Sequence, residues 1–426
     1  MSLLNDQRTV TLEIANEFMC GKTPLNEVIE HFYNNRVASE IKNKRSETKF
    51  ILSALCRKLF EIDNIINQLT DKNISPRNIM IRNCIRIALV ELIDLERPAY
   101  AVINSWVEIA KNKKRLTHFS KLINAVLRKF IKNNTKSTLD DSEKIPGWLW
   151  DSWSKTYGKT ETIKIINASL SEPPLDISYV DTEANMLQLP VTLPGSYRMN
   201  QTGKVNEIEG FKEGKWWVQD AGATIPANIL GDVRDKNVLD LCSAPGGKAM
   251  QLIAMGAHVT CVEVSRKRID TMKDNFQRTG LKPEIICADI LKWQPKKKYD
   301  FILLDAPCSA TGTIRKNPDL IHIKDQQDIK SNIKLQKMLL ERSVEFLNDN
   351  GVLVYCVCSL EYEEGEGQIE AFLKDNSSIS SMPINKDDFP EYQAFISPKG
   401  YLSTLPHLQE EGGIDGFFIS KLYKKF

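Results

Sequence analysis

Long apolar runs are missing from this chain of 426 residues. None approaches the roughly 20 residues that a membrane-spanning helix needs. The opening Met1-Ser2-Leu3-Leu4-Asn5-Asp6 also lacks the apolar core of a signal peptide. The expectation is a cytoplasmic protein with no membrane partner. Histidine is scarce: the five present, His31, His118, His258, His322 and His407, form neither a cluster nor a triad spacing. No Gly-x-x-x-x-Gly-Lys-Ser/Thr loop occurs, which argues against a nucleoside-triphosphate site, and no Gly-x-Gly-x-x-Gly, which argues against a dinucleotide site. The nine cysteines are odd in number and several sit in or beside expected strands, which suits reduced thiols better than a disulfide framework. Cys356-x-Cys358 is too closely spaced for a usual zinc knuckle and has no matching pair, so no metal is expected.

What is present is ordinary in amount and uneven in distribution. A content of 42% hydrophobic and 26% charged residues is that of a globular protein, and the length implies about two or three domains. The net charge is only +2, yet residues 1–137 hold 23 Lys and Arg against 14 Asp and Glu, a net of +9, leaving −7 for the remainder. Residues 101–137 carry nine basic side chains and one acid, Glu108. A basic module joined to a mildly acidic one points to a polyanion partner for the first, the alternative being a solvated charged face.

Residues 1–135 read as all helix. Residues 81–95 are apolar on most sides, which marks a central buried helix. Thr117 then reads as the N-cap of an amphipathic helix. Its stripe is Phe119, Leu122, Ile123, Val126, Leu127, Phe130 and Ile131, and Lys121, Arg128, Lys129 and Lys132 fall largely off it. Residues 136–145 are polar and read as a linker. Residues 146–220 read as a small α+β subdomain with Trp148, Leu149, Trp150 and Trp153 as packing anchors. Trp216 and Trp217 are candidates for base stacking, although neighbouring aromatics in a short strand are more often one core and one rim residue. Residues 221–426 alternate strands, at 238–242, 258–264, 283–288, 299–305 and 352–358, with helices at 265–279 and 332–347. Residues 416–423 read as a closing edge strand. This is an α/β pattern, a doubly wound, mostly parallel sheet that binds ligands at the carboxyl ends of its strands.

Two features of that last domain carry chemistry. The first strand runs into Cys242-Ser243-Ala244-Pro245-Gly246-Gly247-Lys248, a turn that opens a helix. Glu263, Asp289 and Asp305 end the next three strands, where carboxylates suit the hydroxyls and amine of a nucleoside. S-adenosylmethionine fits better than a nicotinamide dinucleotide, having no pyrophosphate to cradle. The second feature is the pair Cys308 and Cys358, each ending an apolar run of the same sheet. C5 of a cytosine is too weak a nucleophile to attack a methylsulfonium unaided, so a thiolate must first add at C6, and a second group must later remove the C5 proton. Two thiols over one pocket meet that need; spacing alone leaves open which one attacks. Cys20, Cys56, Cys84, Cys242, Cys261 and Cys287 are expected to be ordinary buried thiols.

Several ordered motifs resemble the RsmB/Sun group of RNA cytosine-5 methyltransferases. They are Leu239 to Lys248, Asp305-Ala306-Pro307-Cys308-Ser309-Ala310-Thr311-Gly312 with Arg315-Lys316-Asn317-Pro318-Asp319, Cys358-Ser359 with Glu363-Glu364, and Asp415-Gly416-Phe417-Phe418. Val218-Gln219-Asp220-Ala221 is similar to the group's lead-in to its catalytic domain. Pro98 to Asn104 and Leu122 to Arg128 resemble its NusB-type RNA-binding domain. The resemblance implies a Rossmann-like S-adenosylmethionine methyltransferase domain behind an all-α NusB-like bundle, in an expected monomer. The implied activity is on a cytosine of small-subunit (16S) ribosomal RNA, of the cytosine-967 type. It implies Cys358 as nucleophile, Cys308 as the release group, and Asp305 and Lys248 in the catalytic set. Residues 242–248, Glu263, Asp289 and Asp305 would hold the cofactor, and Arg315, Lys316 and the basic face at 111–132 would hold RNA. The chain departs from the group at Glu263 (usually Asp), Val357 (usually Thr), His322 (usually Trp) and Cys356, an extra thiol on the face of Cys358 open to stray oxidation. A non-catalytic ribosome-assembly or antitermination factor is the other reading.

Overall fold

The computed structural model describes residues 4, 6–71, 74–75, 78–181, 185–199, 203–409 and 412–425. Residues 1–3 and 5, part of the stretch read above against a signal peptide, lie outside them. The chain forms two compact units, Met1–Leu170 with Asn317–Lys324, and Ser171–Lys316 with Asp325–Phe426. Among the described residues no helix is long and apolar enough to cross a membrane.

The first unit is helical throughout: α1 (Gln7–Phe18), α2 (Leu25–Asn35), α3 (Arg45–Leu69), α4 (Ile79–Ile93), α5 (Ala99–Asn112), α6 (Ser120–Asn133), α7 (Gly147–Tyr157) and α8 (Lys159–Ser169). As its sequence predicts, α4 is buried nearly all round, from Cys84 and Ile85 through Val90. Its one buried acid, Glu91, is neutralised by Arg8 at 2.7 Å and Arg97 at 3.2 Å, as a carboxylate out of water requires. On α6, Ile123, Val126, Leu127 and Phe130 face the core, while Lys121, Arg128, Lys129 and Lys132 are exposed. Two details of that helix differ from the sequence reading. Ile131 faces solvent, and Thr117 does not cap α6. Its hydroxyl donates back to the Lys113 carbonyl at 3.1 Å within a tight turn, and the helix proper begins at Ser120. The polar linker is strapped down, because Asn64 on α3 accepts from the Thr138 amide at 3.0 Å and Gln68 donates to the Lys136 carbonyl at 3.2 Å. It thereby carries α7 and α8 into the helical unit, so that the stretch 146–220 is divided between the two units.

The second unit starts with a small antiparallel sheet, β1 (Leu175–Tyr179), β2 (Val191–Leu193), β3 (Ser196–Met199) and β4 (Trp216–Val218), in the order β2-β3-β1-β4. Trp216 and Trp217 are both buried there, and their indole N–H groups donate to the Glu209 carbonyl and Gln219 Oε1. Neither is available to stack on a base. There follow α9 (Ala221–Leu230), β5 (Asn237–Leu241), α10 (Gly247–Ala254), β6 (His258–Glu263), α11 (Arg266–Thr279), β7 (Glu284–Cys287), β8 (Tyr299–Asp305) and α12 (Leu320–Ile323), the last belonging to the helical unit. The chain ends with α13 (Gln326–Phe346), β9 (Leu347–Val357), α14 (Glu366–Asp375), β10 (Ile379–Ser381), β11 (Leu402–Thr404) and β12 (Phe417–Lys424).

The main sheet has the order β10-β12-β9-β8-β5-β6-β7, with β11 also pairing with β12. Strands β9, β8, β5, β6 and β7 are parallel, and β12 runs antiparallel to β9. β12 is therefore not the edge that the sequence predicts; β10, three residues long and too short to show an alternation, lies outside it. The direction of winding reverses between β5 and β8, and a doubly wound sheet opens its ligand crevice at such a switch point. Beside the crevice, Gly312 and Gly416 bring two backbones together: the Gly416 amide donates to the Gly312 carbonyl at 2.8 Å, and a Cβ on Gly312 would lie 2.0 Å from the Gly416 oxygen. Gly312→Ala is expected to destabilise the protein by about 1–3 kcal/mol. Gly147→Ala, with open space around its Cβ at the start of α7, is expected to be neutral or stabilising by up to about 1 kcal/mol. Urea unfolding of the two variants beside the parent checks both.

Candidate active site

At the switch point β5 ends in a backbone that only a sharp turn explains: Cys242 has φ of 60° and Gly246 of 100°, both left-handed. The turn is braced from outside, with Arg268 donating to the Ala244 carbonyl and Asn275 to the Pro245 carbonyl at 3.0 Å. The first amides of α10, from Gly247 and Lys248, have no acceptor within their helix. Glu263 at the end of β6 is buried, accepts from the Ser265 amide at 2.9 Å and pairs with Arg268 at 3.2 Å. Asp289 lies on the rim beyond β7, where it accepts from the Leu291 amide at 3.0 Å. Asp305 ends β8. Carboxylates at three strand ends around this turn are acceptors that suit ribose hydroxyls and an exocyclic amine.

Asp305 is also where the turn meets the thiols. Lys248 donates to its Oδ2 at 2.8 Å, and the buried Cys356 thiol lies 3.5 Å from its Oδ1. Burial alone would lower the Lys248 ammonium's pKa, but the Asp305 charge outweighs it and the lysine stays protonated. Parallel pairing places Asp305 opposite Cys356, so the loops after both strands emerge side by side. In them Cys308 and Cys358 stand with their sulfurs 3.5 Å apart, both partly accessible. The Cys308 thiol is pushed well up, first by its hydrogen bond to Cys358 and by burial, then by the charges of Cys358 and Glu364. Cys356 is not a stray target for oxidation: it is fully buried, and burial and then Asp305 push its thiol well up. The remaining cysteines are mixed. Cys56, Cys84 and Cys261 are buried as expected and Cys242 partly so, whereas Cys20 and Cys287 are exposed because they fall past a helix end and on the outermost parallel strand.

Three placements depart from the sequence reading. Arg315, read as an RNA contact, is buried, with Asp415 at 3.4 Å and Asp220 at 3.9 Å. Lys316 is bound to Asp220 and lies 3.1 Å from Asp415. Basic groups taken out of water need carboxylates, and these tie the loop after β8 to the cap of α9 and the turn before β12. His322 sits in the helical unit, its Nε2 2.8 Å from the Cys56 carbonyl and its ring stacked on Phe60, and Asp319 accepts from the Leu25 amide at 2.9 Å. Lys121, Arg128 and Lys132 remain as exposed basic candidates, and Lys129, also exposed, donates to the Leu69 carbonyl at 3.2 Å.

Sequence reasoning gave no role to Asp240 or to the polar residues behind the thiols, Ser309, Ser359, Glu364 and Gln336. A serine after each cysteine was the available signal. Asp240, on β5, is fully buried, and burial together with the Asp305 charge pushes its carboxyl up to about 8. The native protein holds that proton to about pH 8, whereas an unfolded aspartate loses it near pH 4. The group's contribution is thus neutral below about pH 4 and grows unfavourable between about pH 4 and 8. Asp240→Asn is expected to flatten the pH dependence of Tm over that window, as read by calorimetry of the two proteins from pH 5 to 8.

The sequence matches known families over both units. Residues 5–132 match the NusB family, and residues 227–423 match the family described as 16S rRNA methyltransferase RsmB/F. The probable ribosomal RNA small subunit methyltransferase B of Synechocystis sp. is 31% identical over 411 residues, covering 88% of this chain and 90% of that protein. The ribosomal RNA small subunit methyltransferase B of Salmonella agona is 32% identical over 404 residues, covering 88% and 91%. The crystal structure of PH0851 shares the fold, with a TM-score of 0.76, 20% identity and 100% of both chains covered. With strand-end carboxylates, a glycine turn and two facing thiols in one domain and a NusB match in the other, the chain belongs to the RsmB/F family of 16S rRNA methyltransferases.

Proposed function

We propose that this protein methylates C5 of a cytosine in 16S ribosomal RNA through a covalent Cys358–C6 adduct, acting as a cytoplasmic monomer. The observation that carries this reading is the pair of sulfurs 3.5 Å apart beside the Lys248–Asp305 ion pair. The residues fit S-adenosylmethionine: the turn 242–248 and the carboxylates of Glu263, Asp289 and Asp305 are acceptors and amides for its ribose, adenine and amino-acid ends. Bound there, it supplies an electrophilic methyl group.

The chain's own groups do the rest. The Cys358 thiolate adds to C6 and pushes electron density onto C5, which then becomes the nucleophile. Asp305, fixed by Lys248, is placed to accept from the base's exocyclic amine. Once the Cys358 sulfur is bonded to carbon it carries no charge and no longer accepts from Cys308, so two of the influences that hold the proton on Cys308 lapse together. Cys308 then releases that proton to solvent and takes the one on C5, and the electrons of the C5–H bond expel Cys358 as thiolate. The exposed Lys121, Arg128 and Lys132 lie on one face of α6, and this reading assigns them to the RNA backbone.

Incubation with 16S rRNA and methyl-labelled cofactor is expected to place label on C5 of one cytosine. Label on another atom overturns the reading, and RNA binding without any label favours a non-catalytic assembly factor. Cys358→Ala is expected to abolish turnover, and Cys308→Ala to accumulate a protein–RNA adduct stable to denaturing gels; free turnover by the second variant would remove Cys308 from the release step. Reversing Lys121, Arg128 and Lys132 to Glu is expected to reduce the slope of log affinity against log salt by about 2–3, at about 0.7–0.9 for each phosphate no longer neutralised. An unchanged slope puts the RNA elsewhere.

A further inference from the structure

Behind the two thiols lies a buried carboxylate that the chemistry above does not use. Glu364 has no exposure, and among the described residues no Lys or Arg pairs with it. Leaving a carboxylate in such a place without a cation is costly unless hydrogen bonds replace its water. Here they do, and their origin is telling. Oε1 accepts from the Ser309 amide at 2.9 Å and from Gln336 Nε2 at 3.2 Å. Oε2 accepts from the Ser359 hydroxyl at 2.6 Å and from the Ser309 hydroxyl. Gln336 also donates to the Pro307 carbonyl at 2.9 Å. The donors are therefore the residue after Cys308, the residue after Cys358, and Gln336 of α13, which also holds the carbonyl of the residue before Cys308.

We propose that Glu364 is a positioning residue that holds Cys308 and Cys358 at their working separation, gripping with one carboxylate the serine that follows each cysteine. This rests on the addition–release reading of the thiol pair. Neither sulfur touches the carboxylate; it acts through Ser309 and Ser359, whose hydroxyls are themselves 3.0 Å apart. A carboxylate offers both oxygens to these donors, whereas an amide offers one accepting oxygen and two hydrogens of its own. Glu364 is in turn fixed to the sheet, its backbone carbonyl accepting from the Tyr355 hydroxyl at 2.7 Å. Further out, the two loops are laced by the Gly312 amide to the Cys358 carbonyl at 3.0 Å and the Leu360 amide to Thr311 Oγ1 at 3.0 Å. The clamp closes the remaining gap, at the thiols themselves. Its charge beside Cys308 also disfavours a second thiolate there.

The separation of the pair is measured without RNA by treating the full-length protein with diamide. This oxidant takes up the two thiol hydrogens as the S–S bond forms and is itself reduced to the hydrazine. Peptide mapping then counts the Cys308–Cys358 link against time. The parent is expected to form it rapidly. Glu364→Ala is expected to form it at least ten-fold more slowly with cofactor affinity kept, and Glu364→Gln at a rate between the two. If Glu364→Ala does not fold, Ser309→Ala/Ser359→Ala, which removes both hydroxyl donors, takes its place with the same expected loss. A parental rate in whichever variant is read overturns the clamp, since a merely structural role lowers Tm and leaves that rate alone. With RNA, the slow variants are expected to accumulate the adduct as Cys308→Ala does. Slow crosslinking with no adduct in any variant, Cys308→Ala included, leaves the clamp standing and removes the addition–release reading instead.

Discussion

The parallel pairing of β8 with β9 is the constraint on which the site depends. It sets Asp305 opposite Cys356, and every distance at the catalytic end follows from that register. The Lys248–Asp305 pair spans the switch point, Lys248 following β5 and Asp305 ending β8. The thiols come from the loops that leave the two strands together. A shift of one residue in either strand would turn Asp305 or Cys356 to the other face and separate the sulfurs. The antiparallel pairing of β12 with β9 and the contact of Gly312 with Gly416 lock the same loops from the opposite side. The glycine turn at 242–248 thus provides a fixed platform, and the two strands beside it define what happens there.

Charge is allocated in two ways. Inside, several ionised groups have their counterparts: Arg315 and Lys316 with Asp220 and Asp415, Arg198 with Asp176 at 2.8 Å, Glu91 with Arg8 and Arg97. These pairs join segments distant in sequence, and they hold Arg315 away from the surface. Outside, on α6, lysine and arginine stand in water with no buried acid to answer them, and a polyanion gains most from such a face. Glu364 breaks the first pattern. It is a buried carboxylate answered by hydroxyls and amides, next to the facing thiols of Cys308 and Cys358.

Much of this was legible in the sequence, because periodicity and strand-end chemistry are local. The five parallel strands from residue 237 to 357, the turn at Gly246, the buried helix α4 and the basic face of α6 all follow from which residues recur at which spacing. Placement that depends on pairing across the fold was not legible. Arg315 and Lys316 look like nucleic-acid contacts until Asp220 and Asp415, about a hundred residues away on either side, are seen to meet them. Trp216 and Trp217 were ambiguous for the same reason, since only the small sheet decides that both are core. The three residues of β10 are too few to carry a pattern. Cys308 and Cys358 stood out by chemistry, yet their approach to 3.5 Å belongs to the register of two strands rather than to either motif.

The division of labour between the thiols is the central claim, and it is tested most directly by a substrate that stops halfway. In 16S rRNA carrying 5-fluorocytosine, the C5 fluorine cannot be removed as a proton, so the adduct formed at C6 persists after methyl transfer. Protease digestion and mass spectrometry of the crosslinked protein then identify the attached residue. The account predicts the base on the peptide containing Cys358, with Cys308 unmodified. Attachment at Cys308, or methyl transfer without any attachment, contradicts it.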